Sequence, residues 1–301
     1  MRKPEISIIL PTWNRLPLLR RAVDSVLAQS HRDFELIVVD DGSTDGTRDY
    51  LEAIEDPRVR SIWLEHRGDL TSARSAGLRH VRGDWVAFLD SDDLWLPEKL
   101  ALQRQRLAAH PTCRWSYTGY LLVAADESPL PERSALLGSP RSGHILELLL
   151  RFEVAVSVVT MLVQRSLIDE IGGFDEMLPV RSDYDFALRL AAHSACALPE
   201  NLVWVREHAG RTTARLRQVD LYAAHERVFR KAAAAATDPK IRALCLRQCA
   251  MQLAGQASAL SRERSHRAAF TALVRATHDA PFNRTIWRTA AGCAARAVGW
   301  K

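Results

Sequence analysis

The feature that most restricts the fold of this chain is a series of short apolar runs that alternate with helix-like segments. The runs Ile6–Leu10, Phe34–Val39 and Trp85–Leu89 carry almost no polar residues, which is typical of parallel strands covered on both faces. Strands interleaved with helices predict right-handed βαβ units in an open sheet. The expected strands are 6–10, 34–40, 58–64 and 85–90, and the expected helices are 17–29, 44–54, 71–82 and 97–109.

Acidic residues follow two of these runs directly. Asp40 and Asp41 end one run, and Asp90, Asp92 and Asp93 end the other within four positions. Clustered carboxylates at a strand end are costly unless water or a cation neutralises them, and their oxygens suit Mg²⁺ or Mn²⁺. Open parallel sheets bind ligands at the carboxyl ends of their strands, so both acidic groups are expected to share one crevice. A solvated acidic loop that caps the next helix is the alternative.

Composition and charge predict one large domain with an appendage. The chain has 301 residues, of which 47% are hydrophobic and 26% are charged, as in an ordinary globular enzyme. Residues 220–301 contain 14 Lys and Arg against 5 Asp and Glu, whereas residues 1–219 contain 27 against 31. This shift predicts an α/β domain at 1–215 and a basic helical C-terminal extension at 216–301. Further strands are expected at 114–123, 157–163 and 201–206, with short helices at 144–151 and 166–171 and a longer one at 183–193.

The cysteines and the apolar segments bear on location. Five scattered cysteines favour a reducing compartment over a disulfide framework. The apolar runs at 6–10 and 154–163 are too short for a signal-peptide core and for a bilayer span of about 20 residues, respectively. The sequence therefore predicts a cytoplasmic protein without a spanning helix.

Seven short motifs, in order across residues 5–210, resemble the family 2 glycosyltransferases. The order and spacing of all seven make the resemblance specific, although each motif is weak by itself. They are Ile8-Ile9-Leu10-Pro11-Thr12-Trp13-Asn14-Arg15, Ser25-Val26-Leu27-Ala28-Gln29-Ser30, Asp40-Asp41-Gly42-Ser43-Thr44-Asp45, Ala73-Arg74-Ser75-Ala76-Gly77, Phe88-Leu89-Asp90-Ser91-Asp92-Asp93, Ile171-Gly172-Gly173-Phe174-Asp175-Glu176 and Asp183-Tyr184-Asp185-Phe186-Ala187-Leu188-Arg189.

The resemblance implies the GT-A fold, which is Rossmann-like and nucleotide-binding, with a mainly parallel open sheet and helices on both faces. Residues 1–110 would then form the donor half and residues 111–215 the acceptor half. The donor would be a nucleotide-sugar, UDP-linked by default. The residues implied to bind it are Pro11, Thr12, Asn14, Asp41, Arg74, Asp90 and Ser91. For Arg74 an ordinary surface position on its helix is the alternative.

The resemblance also implies a divalent cation, Mn²⁺ or Mg²⁺, bound by Asp92 and approached by His208. Such a cation would offset the charge that builds on the departing nucleoside diphosphate. A merely solvated loop histidine is the alternative for His208. Asp93 is expected either to orient the sugar or to cap the following helix.

Inversion at the sugar requires a carboxylate that takes the proton from the acceptor hydroxyl. The resemblance assigns this role to Asp183, at the start of the helix expected at 183–193. The family commonly has Glu before this Asp, but this chain has Ser182. A helix N-cap is the alternative role for Asp183, and Asp185 is expected to be exposed or capping.

The implied activity is a single-addition transfer of sugar to a carbohydrate or lipid-linked acceptor, in the synthesis of a bacterial surface polysaccharide or glycoconjugate. The Gln-x-x-Arg-Trp signature of processive synthases and the Walker and Gly-x-Gly-x-x-Gly loops are absent from the sequence. A nucleotidyltransferase of similar fold and a non-catalytic binding module are the alternatives. No nucleic-acid partner is expected.

The last helix-like segment of the chain has a basic side and an apolar side. Arg284, Arg288 and Arg296 lie on the first, and Ile286, Trp287, Ala290, Cys293, Ala294, Ala297 and Val298 on the second. One interpretation is that such a helix lies peripherally on the anionic inner face of the cell membrane. The alternative is that its apolar side docks on the enzyme or on a second subunit.

Overall fold

The computed structural model of the chain describes residues 3–134, 138–208, 210 and 216–297. The chain divides into two compact units, Met1–His208 and Ala209–Lys301. The sequence analysis put the boundary between residues 215 and 216, and the structure puts it after His208.

An eight-stranded sheet forms the centre of the N-terminal unit. Its strands lie in the order β3-β2-β1-β4-β7-β6-β8-β5. The strands are β1 Ile6–Thr12, β2 Phe34–Asp40, β3 Val59–Trp63, β4 Trp85–Phe88, β5 Leu94–Trp95, β6 Trp115–Val123, β7 Leu162–Gln164 and β8 Cys196–Arg206.

The first four strands form the parallel half of the sheet that the apolar runs predicted. β1 pairs in parallel with β2 and with β4, and β2 pairs in parallel with β3. Every residue of β1 and β2 is buried, because both strands lie inside the sheet with covered faces. The chain adds β2 and β3 on one side of β1 and β4 on the other, so the strand order reverses next to β1. Ligand crevices of open sheets lie at such a reversal.

The second half of the sheet is mixed. β7 runs antiparallel to β4 and β6, β8 is parallel to β6, and β5 is antiparallel to β8. The prediction of a strand at 157–163 is wrong for most of that range. Residues Val158–Thr160 form a short 3₁₀ helix, and only Leu162–Gln164 pairs as a strand. A buried apolar run of this length is compatible with either structure, and periodicity cannot distinguish them.

Helices connect the strands. The glycine at position 77 allows one of them to pack closely, because a Cβ atom there would lie 2.6 Å from the side chain of Ile9 on β1. The helices of this unit are α1 Leu16–Leu27, α2 Thr47–Glu52, α3 Leu70–Leu78, α4 Lys99–Ala109, α5 Pro131–Ser134, α6 Leu146–Leu150, α7 Arg165–Ile171 and α8 Ser182–Ala191.

The C-terminal unit is helical, as expected. Its helices are α9 Gln218–Ala235, α10 Pro239–Arg262, α11 His266–Asp279 and α12 Arg284–Ala297. Its core is rich in alanine, which lets the helices approach closely. Within the described residues, no helix is long and apolar enough to cross a bilayer.

The sequence predicted no disulfide framework, and for one pair of cysteines this prediction is wrong. Cys113 and Cys196 form a disulfide that closes a loop of 83 residues between the segment before β6 and the start of β8. Spacing does not reveal this pair, because β8 is brought beside β6 only by the sheet. Cys245 and Cys249 are buried free thiols, and burial raises the pKa of Cys245 to about 11 and that of Cys249 to about 12. They are inert packing residues.

The side chain of Lys99, the first residue of α4, is completely buried. Its Nζ donates to Oε1 of Gln103 at 2.8 Å and lies 3.9 Å from the ring centroid of Trp95. No carboxylate is paired with this amine among the described residues, and burial holds its pKa well below the ordinary value. A buried amine without a counter-charge costs stability.

Replacing Lys99 with Met is expected to raise the free energy of unfolding at pH 7. A lowered folded-state pKa means that the unfolded chain binds more protons, so the wild-type protein loses stability as the pH falls below 10.5. Each pH unit in that range costs about 1.4 kcal/mol until the folded-state pKa is reached. Urea unfolding at pH 7 and pH 10 measures the effect, with exposed Lys240→Met as the control. A stability difference that is the same at both pH values would contradict the interpretation.

Candidate active site

The carboxyl ends of β1, β2 and β4 meet at one edge of the sheet. Thr12 at the end of β1 is in register with Asp40 at the end of β2, and the backbone N–H of Asp41 donates to the carbonyl of Thr12 at 3.0 Å. On the other side of β1, the N–H of Leu89 donates to the carbonyl of Ile9 at 3.0 Å. The two acidic groups therefore follow strands on either side of β1, at one edge of the sheet. The sequence predicted that they share one crevice but did not predict this strand order.

Asp41 is buried and organises the loop after β3. Its carboxylate accepts the backbone N–H groups of Arg67 and Gly68, each at 2.9 Å, and lies 2.9 Å from Nδ1 of His66. The indole of Trp13 stacks on the His66 ring, with 4.3 Å between centroids. His66 and Trp13 thus form one wall of the crevice, and no motif in the sequence pointed to His66.

The first loop is tied to the loop after β2. Asn14 has a φ of 48°, its side-chain oxygen accepts the N–H of Thr44 at 2.7 Å, and its own N–H donates to Ser43 Oγ at 2.8 Å. Thr12 is buried, and its hydroxyl has no hydrogen-bond partner among the described residues. Pro11 precedes it inside β1. Asn14 therefore holds the first loop against the loop after β2. The Thr12 hydroxyl is free to form a hydrogen bond with a ligand.

Three carboxylates follow β4 and converge. Oxygen atoms of Asp90, Asp92 and Asp93 all lie within 4.8 Å of one another, and Ser91 between them is buried. Oxygen donors at this separation suit a hard divalent cation such as Mg²⁺ or Mn²⁺. The solvated-loop alternative is wrong, since Asp92 is 8% exposed and Asp93 is 6% exposed.

Arg74 neutralises part of this charge from inside the protein. It is 3% exposed, and its Nη2 donates to Oδ1 of Asp90 at 2.6 Å. The surface alternative for Arg74 is therefore wrong. Burial raises the pKa of Asp90, Arg74 opposes this shift, and the charges of Asp92 and Asp183 add to it. The same carboxylates hold the pKa of Arg74 above its usual range in spite of burial. Asp90, Asp92 and Asp183 are thus all within electrostatic range of the Arg74 guanidinium.

Two side chains share one oxygen of Asp92. Oδ2 accepts Nη1 of Arg15 at 2.7 Å and lies 3.0 Å from Nε2 of His208. The side chains of Asp92 and His208 are 10% and 15% exposed, so the solvated-loop alternative for His208 is wrong. Arg15 stands in the first resembling motif, but nothing in the sequence linked it to Asp92, 77 positions away.

Asp93 anchors the end of β8. Its Oδ1 accepts the backbone N–H of Arg206 at 3.0 Å, and Arg206 Nη1 donates to the Asp92 carbonyl at 2.9 Å. The expected helix cap is wrong, because α4 begins at Lys99 with Glu98 in the capping position. Arg206 is buried, also pairs with Glu127, and was not identified from the sequence.

Asp183 lies in the first turn of α8. Because α8 begins at Ser182 with Arg181 in the capping position, the N-cap alternative for Asp183 is wrong. The Ser182 hydroxyl is 2.7 Å from that of Thr71 on α3, one helical turn before Arg74. Asp185, expected to be exposed or capping, is buried and accepts two hydrogen bonds from Arg189 at 2.9 and 2.7 Å. Asp185 is therefore a structural residue, and Asp183 is the acid of α8 within range of Arg74.

Acidic groups at the carboxyl ends of β2 and β4, in the parallel half of the sheet, lie where open α/β sheets bind their ligands. Residues 7–116 match the family model described as Glycosyl transferase family 2. The structure aligns with S. aureus TarS 1–349, solved in complex with UDP-GlcNAc, with a TM-score of 0.75 at 19% identity over 97% of this chain and 89% of that chain. The alignment confirms the GT-A fold.

Two curated relatives are similar over part of the chain. The putative teichuronic acid biosynthesis glycosyltransferase TuaG of Bacillus subtilis is 44% identical over 130 residues, which are 42% of this chain and 51% of TuaG. WfgD of Escherichia coli, a UDP-Glc:alpha-D-GlcNAc-diphosphoundecaprenol beta-1,3-glucosyltransferase, is 37% identical over 98 residues, 33% of this chain and 39% of WfgD. The chain thus spans about half the length of these relatives or less.

Replacing Arg15 with Gln is expected to tighten Mn²⁺ binding to the nucleotide-free protein. The change removes a cation that competes for Asp92, whose side chain is 10% exposed. Even exposed ion pairs contribute up to about 1 kcal/mol, so Mn²⁺ affinity should rise at least about two- to fivefold. Calorimetric titration with Mn²⁺ measures the change, and Arg48→Gln on exposed α2 is the matched control. Equal or weaker Mn²⁺ binding by Arg15→Gln would show that Arg15 does not compete with the ion.

Proposed function

We propose that this protein transfers a sugar from a nucleotide-sugar donor, UDP-linked by preference, to an acceptor hydroxyl with inversion at the sugar carbon. The acceptor is a carbohydrate or a lipid-linked saccharide in the synthesis of a bacterial surface polysaccharide or glycoconjugate. The observation that carries the proposal is the convergence of Asp90, Asp92 and Asp183 around buried Arg74.

Relatives support the substrate class. TuaG is named as a putative teichuronic acid biosynthesis glycosyltransferase, and WfgD is named for UDP-Glc and a diphosphoundecaprenol-linked acceptor. TarS was solved with UDP-GlcNAc. A UDP-sugar donor and a lipid-linked acceptor are therefore the first substrates to test.

In the proposed site, the donor lies along the carboxyl edge of β1, with Thr12 and the wall of Trp13 and His66 beside the nucleoside. Asp92 and His208 would hold a divalent cation, together with Asp90, and the cation would offset charge on the donor diphosphate. This assignment fits the oxygen donors present and the nitrogen of His208. Asp41 would act indirectly, by positioning the loop after β3 through the N–H groups of Arg67 and Gly68.

The transfer step needs one proton acceptor. The acceptor oxygen attacks the sugar carbon as the bond from that carbon to the diphosphate oxygen breaks, and the hydroxyl proton passes to Asp183. Arg74 keeps Asp90 paired during this step, and the nucleoside diphosphate leaves with the electron pair of the broken bond. We place the reaction in the cytoplasm, at the inner face of the membrane that carries the acceptor.

Asp92→Asn is expected to abolish cation-dependent release of nucleoside diphosphate, because the amide keeps the shape of the side chain and loses the charge that holds the ion. The test is a screen of nucleotide sugars with Mn²⁺ or Mg²⁺, followed by calorimetry of Mn²⁺ with the nucleoside diphosphate of the sugar turned over. Wild-type protein without turnover of any donor would reject the proposed activity. Unchanged ternary binding by folded Asp92→Asn would reject Asp92 as a ligand.

Asp183→Asn is expected to lower the rate of transfer by about 10²- to 10⁴-fold while donor binding stays nearly unchanged, because the proton is removed only when the acceptor attacks. Single-turnover transfer and donor titration separate the two effects. Asp169→Asn on exposed α7 is the matched control. If Asp183→Asn transferred sugar at a near-normal rate, another carboxylate would have to be the base.

A further inference from the structure

The C-terminal unit has an apolar surface that its own core does not use. α12 packs on α10 and α11 through Ile286, which is 0% exposed, and Cys293, which is 6% exposed. Part of the apolar side of α12 therefore docks within the unit, as the alternative in the sequence analysis allowed, and the membrane expectation is wrong for Ile286 and Cys293. Val298 lies outside the described residues. Trp287, Ala294 and Ala297 of the same side remain exposed, and Trp287 is 57% exposed.

Trp287 belongs to a larger apolar surface. It lines a groove of about 430 Å³ between α11 and α12 together with Phe270 and Val274, and these two residues of α11 are 68% and 51% exposed. Its Nε1 donates to the carbonyl of Pro281 at 2.8 Å, next to Phe282, which is 94% exposed. Phe282 stands in the turn between α11 and α12 and does not line this groove. We call these exposed residues of α11, α12 and the turn between them the apolar surface: Phe270, Val274, Phe282 and Trp287. Three aromatic rings at such exposure are unusual for a surface in contact with water alone.

The turn that presents Phe282 is well held. The N–H of Asn283 donates to the carbonyl of Ala280 at 3.2 Å, and the Asn283 side chain accepts the N–H of Thr285 at 3.0 Å. With the bond from Trp287, these contacts hold the Phe282 backbone in place. A fixed ring needs little ordering when it enters an apolar phase.

Basic residues surround the apolar surface. Arg267 lies one helical turn before Phe270, Arg284 lies between Phe282 and Trp287, and Arg288 follows Trp287, and all three arginines are exposed. The one acid on α11 and α12 is Asp279, whose side chain is 6% exposed and pairs with Arg230 at 2.6 Å. The rim of the surface is therefore positively charged.

We infer that the apolar surface docks on an anionic lipid bilayer, with its rings at the level of the headgroups and its arginines on lipid phosphates. Aromatic side chains surrounded by arginine are suited to that boundary, where apolar and anionic groups lie side by side. A second copy of the chain suits the surface less, because an isologous contact would bring two rims of the same positive charge together. The inference deepens the proposed function, on which its link to a lipid-linked acceptor rests.

The experiment is flotation of the full chain with vesicles of phosphatidylcholine alone or with phosphatidylglycerol, without donor or metal. Wild-type protein is expected to float with anionic vesicles at low salt and to be released at high salt. Arg267→Gln with Arg288→Gln should weaken binding by about fivefold for each arginine. Lys240→Gln with Arg242→Gln on exposed parts of α10 removes the same charge and should have a smaller effect.

The aromatic contribution is tested by Phe270→Ser with Phe282→Ser, which should weaken vesicle binding at least tenfold and leave the melting temperature unchanged. Met177→Ser, at an 84% exposed position of the other unit, is the control. Equal binding to neutral and anionic vesicles, absence of binding, or an equal loss in the Lys240 and Arg242 variant would overturn the inference. So would conversion of an oligomer to a monomer by the Phe variant with vesicle binding intact. Donor turnover without vesicles tests the proposed function separately.

Discussion

The mutual repulsion of the carboxylates at the carboxyl edge of the sheet is the constraint on which the active site depends. Asp90, Asp92 and Asp183 come from two distant parts of the chain and lie within electrostatic range of Arg74. Burial makes this repulsion stronger than it would be in water. The protein offsets it with a buried guanidinium on Asp90 and with Arg15 on Asp92. In the proposed function, a divalent cation and the donor diphosphate would balance each other's charge at this edge.

The opposite edge of the same strands shows a closed arrangement. Glu35 is buried at the start of β2 and accepts hydrogen bonds from Ser7, Arg60 and Arg82. Burial alone would raise the pKa of Glu35, but the bonds from Ser7 and Arg82 hold it below its usual value. These contacts connect β1, β2, β3 and the segment before β4, so they stabilise the strand order. The amino edge is thus a structural network, and the carboxyl edge carries the acidic groups of the candidate site.

The helical unit follows a different principle. Small side chains of α10, α11 and α12 pack closely and form its core, and the same close packing leaves larger rings outside. A helix of 14 residues with several apolar faces cannot bury all of them against two neighbours, and Phe270 and Trp287 remain at the surface. Whether a segment faces a core or a membrane is therefore decided by its neighbours.

Local pattern determined the existence and parallel direction of the first four strands, the positions of the acids and the resemblance to family 2 glycosyltransferases. These properties follow from spacing over a few residues, which the sequence displays directly. Tertiary structure decided the rest. Arg15 and His208 meet on Asp92, Arg74 is buried, and Cys113 reaches Cys196, because the sheet brings together segments that are 16 to 116 positions apart. Such contacts depend on strand order and helix docking, and neither can be predicted from the residues that are adjacent in the chain.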